Sequence, residues 1–137
     1  MNIGIIYKEE KRQEFSLPLF FLNNVLIEYK WSQWFYFKNI DLISNIENKE
    51  GVWVIRDNNK KILYIGYSKR LKNRIINQFY YGKGKHSTRD RMIKNNVNFD
   101  ELEFKFTYID KYIELKKNLL ITYQKVFKKL PKYMKKA

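Results

Sequence analysis

The sequence predicts an α+β domain in which a small three-stranded antiparallel sheet is flanked by helices, with a β-rich extension at the N-terminus. Residues 51–74 have the pattern of a strand, a polar turn, a second strand and a helix. Residues 101–109 alternate strictly between apolar and polar side chains, which is typical of a third strand in an antiparallel sheet. The amphipathic pattern of residues 111–130 then predicts a long helix. The positions expected to be buried on this helix include Ile113, Leu119, Leu120, Tyr123, Phe127 and Leu130.

The N-terminal extension is predicted to cover residues 1–38, and the main domain residues 39–137. Apolar runs at residues 3–7, 15–22 and 25–31 favour strands, with Asn23-Asn24 as a hairpin turn between the last two. A helix over residues 20–30 is the alternative, because so short an apolar stretch does not define a period. The aromatic cluster from Trp31 to Phe37 is expected to enter the core.

The central hairpin is predicted from two short runs of β-branched and aromatic residues, Val52–Arg56 and Ile62–Ile65, separated by a polar turn. Gly66 is expected to end the second strand, and Ser68 to cap a helix over residues 69–80. Helical spacing would align one polar stripe along that helix: Arg70, Arg74, Asn77 and Tyr81. A basic loop and a short helix from Ser87 to Asn95 are expected to follow.

Positive charge is concentrated in the second part of the chain. Residues 1–50 hold six Lys and Arg against seven Asp and Glu, whereas residues 51–137 hold 22 against seven. Such a field attracts polyanions and indicates a nucleic-acid-binding protein. The residues expected to contact phosphates are Lys69, Arg70, Lys72, Lys83, Lys85, Arg89, Arg91, Lys128, Lys129 and Lys132.

Several classes of protein are disfavoured by what the sequence lacks. It contains no cysteine, which excludes disulfides, thiolate metal sites and a cysteine nucleophile. The apolar run at residues 3–7 is shorter than a secretory signal requires, and no run approaches the length of a membrane span. We therefore expect a cytoplasmic protein that does not engage a membrane.

The order and spacing of these elements resemble the GIY-YIG endonucleases. Gly51-Val52-Trp53 stands at the GIY element, Tyr64-Ile65-Gly66 is the YIG element, and Arg74 lies eight residues after the glycine, as in the family. Pro131-Lys132-Tyr133 is similar to the Pro-Arg-Tyr that closes the domain in many members. The resemblance covers about residues 40–134.

The resemblance implies hydrolysis of DNA, most simply duplex DNA, with Mg²⁺ or Mn²⁺ as cofactor. It implies that Tyr64 orients the water or the phosphate and that Arg74 stabilises charge developing on the phosphate oxygens. Trp53, however, takes the place of the family's first catalytic tyrosine, and an indole N–H cannot act as a general base. His86, or else Tyr80 or Tyr81, is the expected replacement for that tyrosine.

The metal-binding glutamate of the family should fall near Thr122 or, with one extra helical turn, at Asn118, and neither is a carboxylate. The candidate metal ligand is therefore Glu114, the nearest acid on this helix. Pairing of Glu114 with Lys111 or Lys117 on the surface is the alternative.

Two functions follow from these expectations. One is a metal-dependent DNA endonuclease that uses Tyr64, Arg74 and His86. The alternative is a catalytically degenerate DNA-binding or regulatory protein on the same scaffold. RNA processing shares every basic feature and is separable by substrate competition.

Overall fold

A four-stranded antiparallel sheet forms the centre of the protein in a computed structural model, which describes residues 20–22, 25–27, 30–43 and 45–134. Its strands are Phe35–Tyr36 (β3), Gly51–Arg56 (β4), Ile62–Ser68 (β5) and Glu103–Tyr108 (β6), in the order β3-β6-β4-β5. The α+β class is confirmed, but the sheet has one strand more than expected. The additional strand is β3, whose two residues are too few to show a period of two.

The N-terminal hairpin lies in part within the described residues. Phe20–Leu22 (β1) pairs antiparallel with Val25–Ile27 (β2), which confirms strand structure at these residues and excludes the alternative of a helix over residues 20–30. Its turn and residues 1–19 lie outside the described residues.

Within the described part of the chain, three helices and two short 3₁₀ segments surround the sheet. A helical segment that begins at Leu71 continues as a π-helix over Asn73–Tyr80, and α1 covers Ser87–Lys94. The long helix α2 extends over Tyr112–Phe127, and the 3₁₀ segments are Phe37–Leu42 and Phe99–Glu101. Across the described ranges, no helix combines the length and the apolarity needed to cross a bilayer.

Strand β5 continues beyond the point at which the sequence predicts its end. Gly66 is paired with Trp53, and the strand ends at Ser68. The Ser68 hydroxyl accepts a hydrogen bond from the backbone N–H of Arg70 at 2.9 Å. Because the helix begins only at Leu71, Ser68 closes a turn before the helix and is not its N-cap as predicted.

The sheet is covered by helices on both faces. One face, which includes Trp53, packs against residues of the π-helix and α1, and the opposite face, which includes Val54, packs against α2. The alternation of residues 101–109 predicts a strand with one buried and one exposed face. Because both faces of the sheet are covered, the polar residues Glu103 and Thr107 of β6 are buried as well.

The buried face of α2 differs from the predicted one at a single position. Leu119, Leu120 and Tyr123 are buried, as expected. Ile113 is 61% exposed, because Tyr112 and Leu115 occupy the inward positions of the first turns.

The segment before β4 packs onto the outer edge of the sheet. The backbone N–H of Ser32 donates to the carbonyl of Phe106 at 2.8 Å, and the Thr107 hydroxyl donates to the carbonyl of Lys30 at 2.8 Å. Phe37 is fully buried, whereas Tyr36 is 42% exposed. The last residues of the predicted extension therefore contribute to the sheet and the core, and the division at residue 38 stays a prediction.

A buried ion pair joins β4 to β6. Arg56 and Glu103 are register partners, and two hydrogen bonds of 3.3 Å and 3.1 Å connect the guanidinium to the carboxylate. The side chains are 7% and 10% exposed, and the Trp34 ring covers the Arg56 guanidinium at 3.8 Å. The charges are tolerated because they neutralise each other where water is excluded.

We expect Glu103→Leu to lower the free energy of unfolding by about 3–5 kcal/mol, because Arg56 then loses this carboxylate inside the protein. The double variant Arg56→Met/Glu103→Leu should recover most of the loss. Urea unfolding of the three proteins measures both effects. Lys49→Met, which breaks an ion pair of exposed side chains with Glu47, is the control and should change stability little. Additive losses in the double variant would contradict the expectation.

Candidate phosphate-binding groove

A groove of about 770 Å³ opens beside the end of β5, between the π-helix, the loop before α1 and the first turns of α2. We call it the cationic groove. None of the described residues that line it is acidic, and five of them are basic: Lys69, Arg70, Arg74, Lys85 and Lys116. Such a lining is complementary to an anion.

Tyr64 reaches the groove from β5. Its strand pairs with β4 so that Tyr64 and Trp53 share a face, as predicted, and their ring centroids lie 5.4 Å apart. The ring of Tyr64 lies over Gly66. A Cβ atom on Gly66 would stand 2.4 Å from Tyr64 Cε2 and 2.8 Å from both the Tyr64 hydroxyl and Trp53 Nε1. Glycine is therefore required at the end of the YIG motif because the tyrosine lies directly against its backbone.

The phenol of Tyr64 is protonated at neutral pH. Its burial raises its pKa above the ordinary value of 10.0, while the positive charge of Arg74 and a hydrogen bond with Thr88 act in the opposite direction. Since burial dominates, the hydroxyl is available as a hydrogen-bond donor.

Arg74 enters the groove from the π-helix. The helix is wound by bonds between residues five apart, such as the N–H of Tyr81 to the carbonyl of Ile76 at 3.0 Å. With this winding Gln78, and not the predicted Asn77, follows Arg74 in the lining of the groove. The Asn77 side chain donates to the side chain of Asn73 at 3.0 Å. A π-helix is rare and is frequently found at functional sites.

His86 also lines the groove, where it caps α1. Its Nδ1 accepts a hydrogen bond from the backbone N–H of Arg89 at 3.3 Å, and the residue is only 6% exposed. Burial and the positive charge of Arg74 lower its pKa to about 4, so the imidazole is neutral at pH 7.

The hydrogen bond to His86 Nδ1 assigns the proton of the neutral ring to Nε2. Nε2 is buried and has no hydrogen-bond partner within the described part of the chain. In this tautomer His86 is a donor, which differs from the base-like role that the sequence suggested for it.

The other candidates for the missing tyrosine do not reach the groove. The Tyr80 hydroxyl donates to Asp100 at 3.0 Å, and the Tyr81 hydroxyl donates to Asp41. Trp53 is fully buried beneath the groove, and its Nε1 has no partner among the residues described. The sequence interpretation of Tyr80 and Tyr81 is therefore corrected, because carboxylates outside the groove hold both phenols.

Residues of the groove do not fit a divalent metal ion. Mg²⁺ and Mn²⁺ require oxygen ligands, with carboxylates foremost. Glu114 is exposed and lies outside the groove, while Thr122 is buried and donates its hydroxyl to the carbonyl of Asn118 at 2.9 Å. Throughout the described ranges, no cluster of three or more His, Asp or Glu residues could hold a metal.

Five of the predicted phosphate-binding residues lie around the groove or on the adjoining surface. Lys69, Arg70 and Lys85 line the groove. Lys72 and Lys83 are exposed but do not line it.

The other predicted phosphate-binding residues lie elsewhere. Arg89 Nε donates to the carbonyl of Phe79 at 2.6 Å, and Arg91 Nη2 donates to the carbonyl of Tyr133 at 2.7 Å. These two arginines therefore connect segments of the fold, a role that their sequence context did not reveal. The remaining three are exposed near the C-terminal end of α2: Lys128, Lys129 and Lys132.

The sequence interpretation missed one side of the groove. Tyr67 of β5 stacks on Tyr112 of α2 with ring centroids 5.2 Å apart, and Lys116 Nζ lies 4.8 Å from the Tyr67 ring centroid. The available signal was the spacing of four between Tyr112 and Lys116, which places both on one side of a helix.

The chain belongs to the GIY-YIG family, because the family described as the GIY-YIG catalytic domain matches residues 49–130, more than half of the chain. It is similar to UvrABC system protein C of Clostridium botulinum, with 31% identity over 91 residues to the proteins of strains Hall, Langeland and Okra. The matched region covers 66% of this chain and only 13% of each of these relatives. No solved structure matches the chain significantly.

We expect Gly66→Ala to lower the free energy of unfolding by about 1–3 kcal/mol, because the added methyl group collides with Tyr64 and Trp53. Urea unfolding measures the loss, and near-ultraviolet circular dichroism reports the repacking of the two rings. Unchanged stability together with an unchanged spectrum would show that the ring of Tyr64 does not lie against Gly66.

Stability should fall as the pH decreases from about 6.5 towards 4, in part because of His86. The unfolded chain binds a proton at this histidine in that range and the folded protein does not, so protonation favours unfolding. We expect a weaker pH dependence in His86→Asn, since asparagine retains an N-cap side chain without titrating. Urea unfolding of both proteins at several pH values measures the difference. Parallel pH profiles would contradict this role of His86.

Proposed function

We propose that this domain is an endonuclease that binds a DNA phosphodiester in the cationic groove and hydrolyses it. The observation that carries the proposal is the convergence of Tyr64, Arg74 and His86 on one side of a groove that no described acid lines. DNA is the proposed partner because the GIY-YIG family includes nucleases that act on DNA and because the chain carries a net charge of +14. Duplex DNA is the proposed form.

The chemistry requires positive groups placed in advance around the phosphate. When water attacks phosphorus, a new bond from its oxygen to phosphorus forms as the ester bond to the leaving oxygen breaks, and negative charge grows on the phosphate oxygens. The attacking water releases a proton to solvent, and the leaving oxygen takes one up from solvent. Arg74 would stabilise that charge. Tyr64, protonated at neutral pH, would donate to a phosphate oxygen or to the leaving oxygen. His86, whose Nε2 is buried, would form part of the groove wall beside these two residues.

A second candidate function is binding of DNA without hydrolysis. It is favoured by the residues at the two positions that depart from the family pattern. Trp53 is fully buried and supplies no hydroxyl, and the groove has no carboxylate among its described residues. Mg²⁺ or Mn²⁺ dependence stays a prediction of the family resemblance.

The decisive experiment is cleavage of supercoiled plasmid and linear duplex DNA in Mg²⁺, in Mn²⁺ and in EDTA. We expect Arg74→Ala to lower the cleavage rate about 10²–10³-fold, which is typical for the loss of one group that stabilises a transition-state oxyanion. Lys61→Ala is the control, because Lys61 is exposed at the opposite end of β5.

Four outcomes distinguish the functions. Cleavage that Arg74→Ala abolishes and Lys61→Ala preserves supports the endonuclease. Salt-sensitive DNA binding without cleavage supports the second function. If RNA of equal length displaces DNA from the protein, RNA replaces DNA as the proposed partner. A protein that neither binds nor cleaves nucleic acid contradicts both proposals.

A further inference from the structure

The side of the cationic groove formed by α2 carries a lysine. Tyr112 and Lys116 are one helical turn apart and both line the groove, whereas Glu114 between them is exposed and outside it. The family resemblance predicts a metal-binding carboxylate on this helix. The helix instead contributes an ammonium group to the lining of the groove.

The surroundings of Lys116 restrict its position. Its Nζ lies 4.8 Å from the ring centroid of Tyr67, and that ring is itself stacked on Tyr112 at 5.2 Å. A cation held over an aromatic ring is stabilised by the ring's negative face and is less free to move into solvent. Tyr67 therefore acts as a positioning residue for Lys116.

Partial burial also leaves Lys116 with less water than a surface lysine. Burial lowers the pKa of Lys116 below its ordinary value of 10.5. A phosphate bound beside it would replace the lost hydration and favour the charged form.

We propose that Lys116 is a resident phosphate-binding cation of the groove, so that the groove binds a nucleic-acid phosphodiester without a divalent metal ion. The inference rests on the proposed function, since it concerns the same groove and the same ligand. Lysine binds phosphate as a compact point charge. No described acid in the groove competes with the phosphate for that charge.

The first test is fluorescence anisotropy with a labelled DNA duplex, in EDTA and in Mg²⁺ at matched ionic strength. Wild-type protein should bind no more weakly in EDTA than in Mg²⁺. Lys116→Met should weaken binding by about 10- to 100-fold, the range for losing a hydrogen bond to a charged group. It should also make the slope of log affinity against log salt shallower by about 0.9, the value for one lost phosphate contact on a duplex.

The matched control is Lys117→Met, which removes the same charge from an exposed neighbour outside the groove. Its affinity and salt slope should stay close to those of the wild type. Circular dichroism of both variants shows whether each retains the fold.

A charge reversal makes the test sharper. Lys116→Glu would place a carboxylate on the groove wall, where it repels phosphate unless a divalent cation lies between them. We expect this variant to bind more weakly than Lys116→Met in EDTA and to recover part of its affinity in Mn²⁺. Wild-type protein should show no such recovery.

The inference fails if wild-type binding is lost in EDTA, or if Lys116→Met binds as Lys117→Met does. If wild-type protein binds DNA in EDTA with no contribution from Lys116, only this inference is overturned and the proposed function stands. If wild-type protein does not bind nucleic acid in either buffer, the proposed function and this inference fail together.

Discussion

The burial of β4 along its whole length is the constraint on which the rest of the structure depends. All six residues of Gly51–Arg56 are buried, and the strand is paired on both edges. Helices must therefore cover both faces of the sheet, and a charged residue in this strand must find its partner inside the protein. Arg56 meets this requirement with Glu103. The ends of the neighbouring strands are left as the accessible part of the sheet, and the cationic groove forms there.

Some positions of the family pattern are preserved in the groove, and others are altered. Tyr64, Gly66 and Arg74 keep their positions because the hairpin and the helix after it keep their spacing. The positions that would supply the family's first tyrosine and its glutamate have become part of the interior: Trp53 is fully buried, and Thr122 is 2% exposed. The described lining consequently consists of donors and cations without a carboxylate.

The sequence was sufficient for those parts of the fold that depend on short-range patterns. Alternation in residues 103–108, the polar turn before Ile62 and the start of α1 at Ser87 all follow from the local period and from capping chemistry. The α+β class and the convergence of Tyr64 with Arg74 followed from these elements and their spacing.

What could not be predicted depends on contacts between distant segments. The two-residue strand β3 exists because Phe35 pairs with Phe104, which no local pattern encodes. Arg91 has the sequence context of a phosphate-binding residue but is directed to the carbonyl of Tyr133, 42 positions away. Lys116 resembles any other lysine of α2 until the stacked rings of Tyr67 and Tyr112 define its surroundings.

The π-helix has a consequence for transferring residue roles between relatives. Each of its hydrogen-bonded turns encloses one residue more than a turn of α-helix, so the direction of successive side chains drifts from the α-helical pattern. Counting from the glycine of the YIG motif remains valid as far as Arg74, which lies at the start of this segment. Beyond it, the α-helical pattern of spacing no longer gives the direction of a side chain: Gln78 lines the groove, whereas the predicted Asn77 and Tyr81 do not. An alignment without gaps can therefore pair residues that face different sides of the domain.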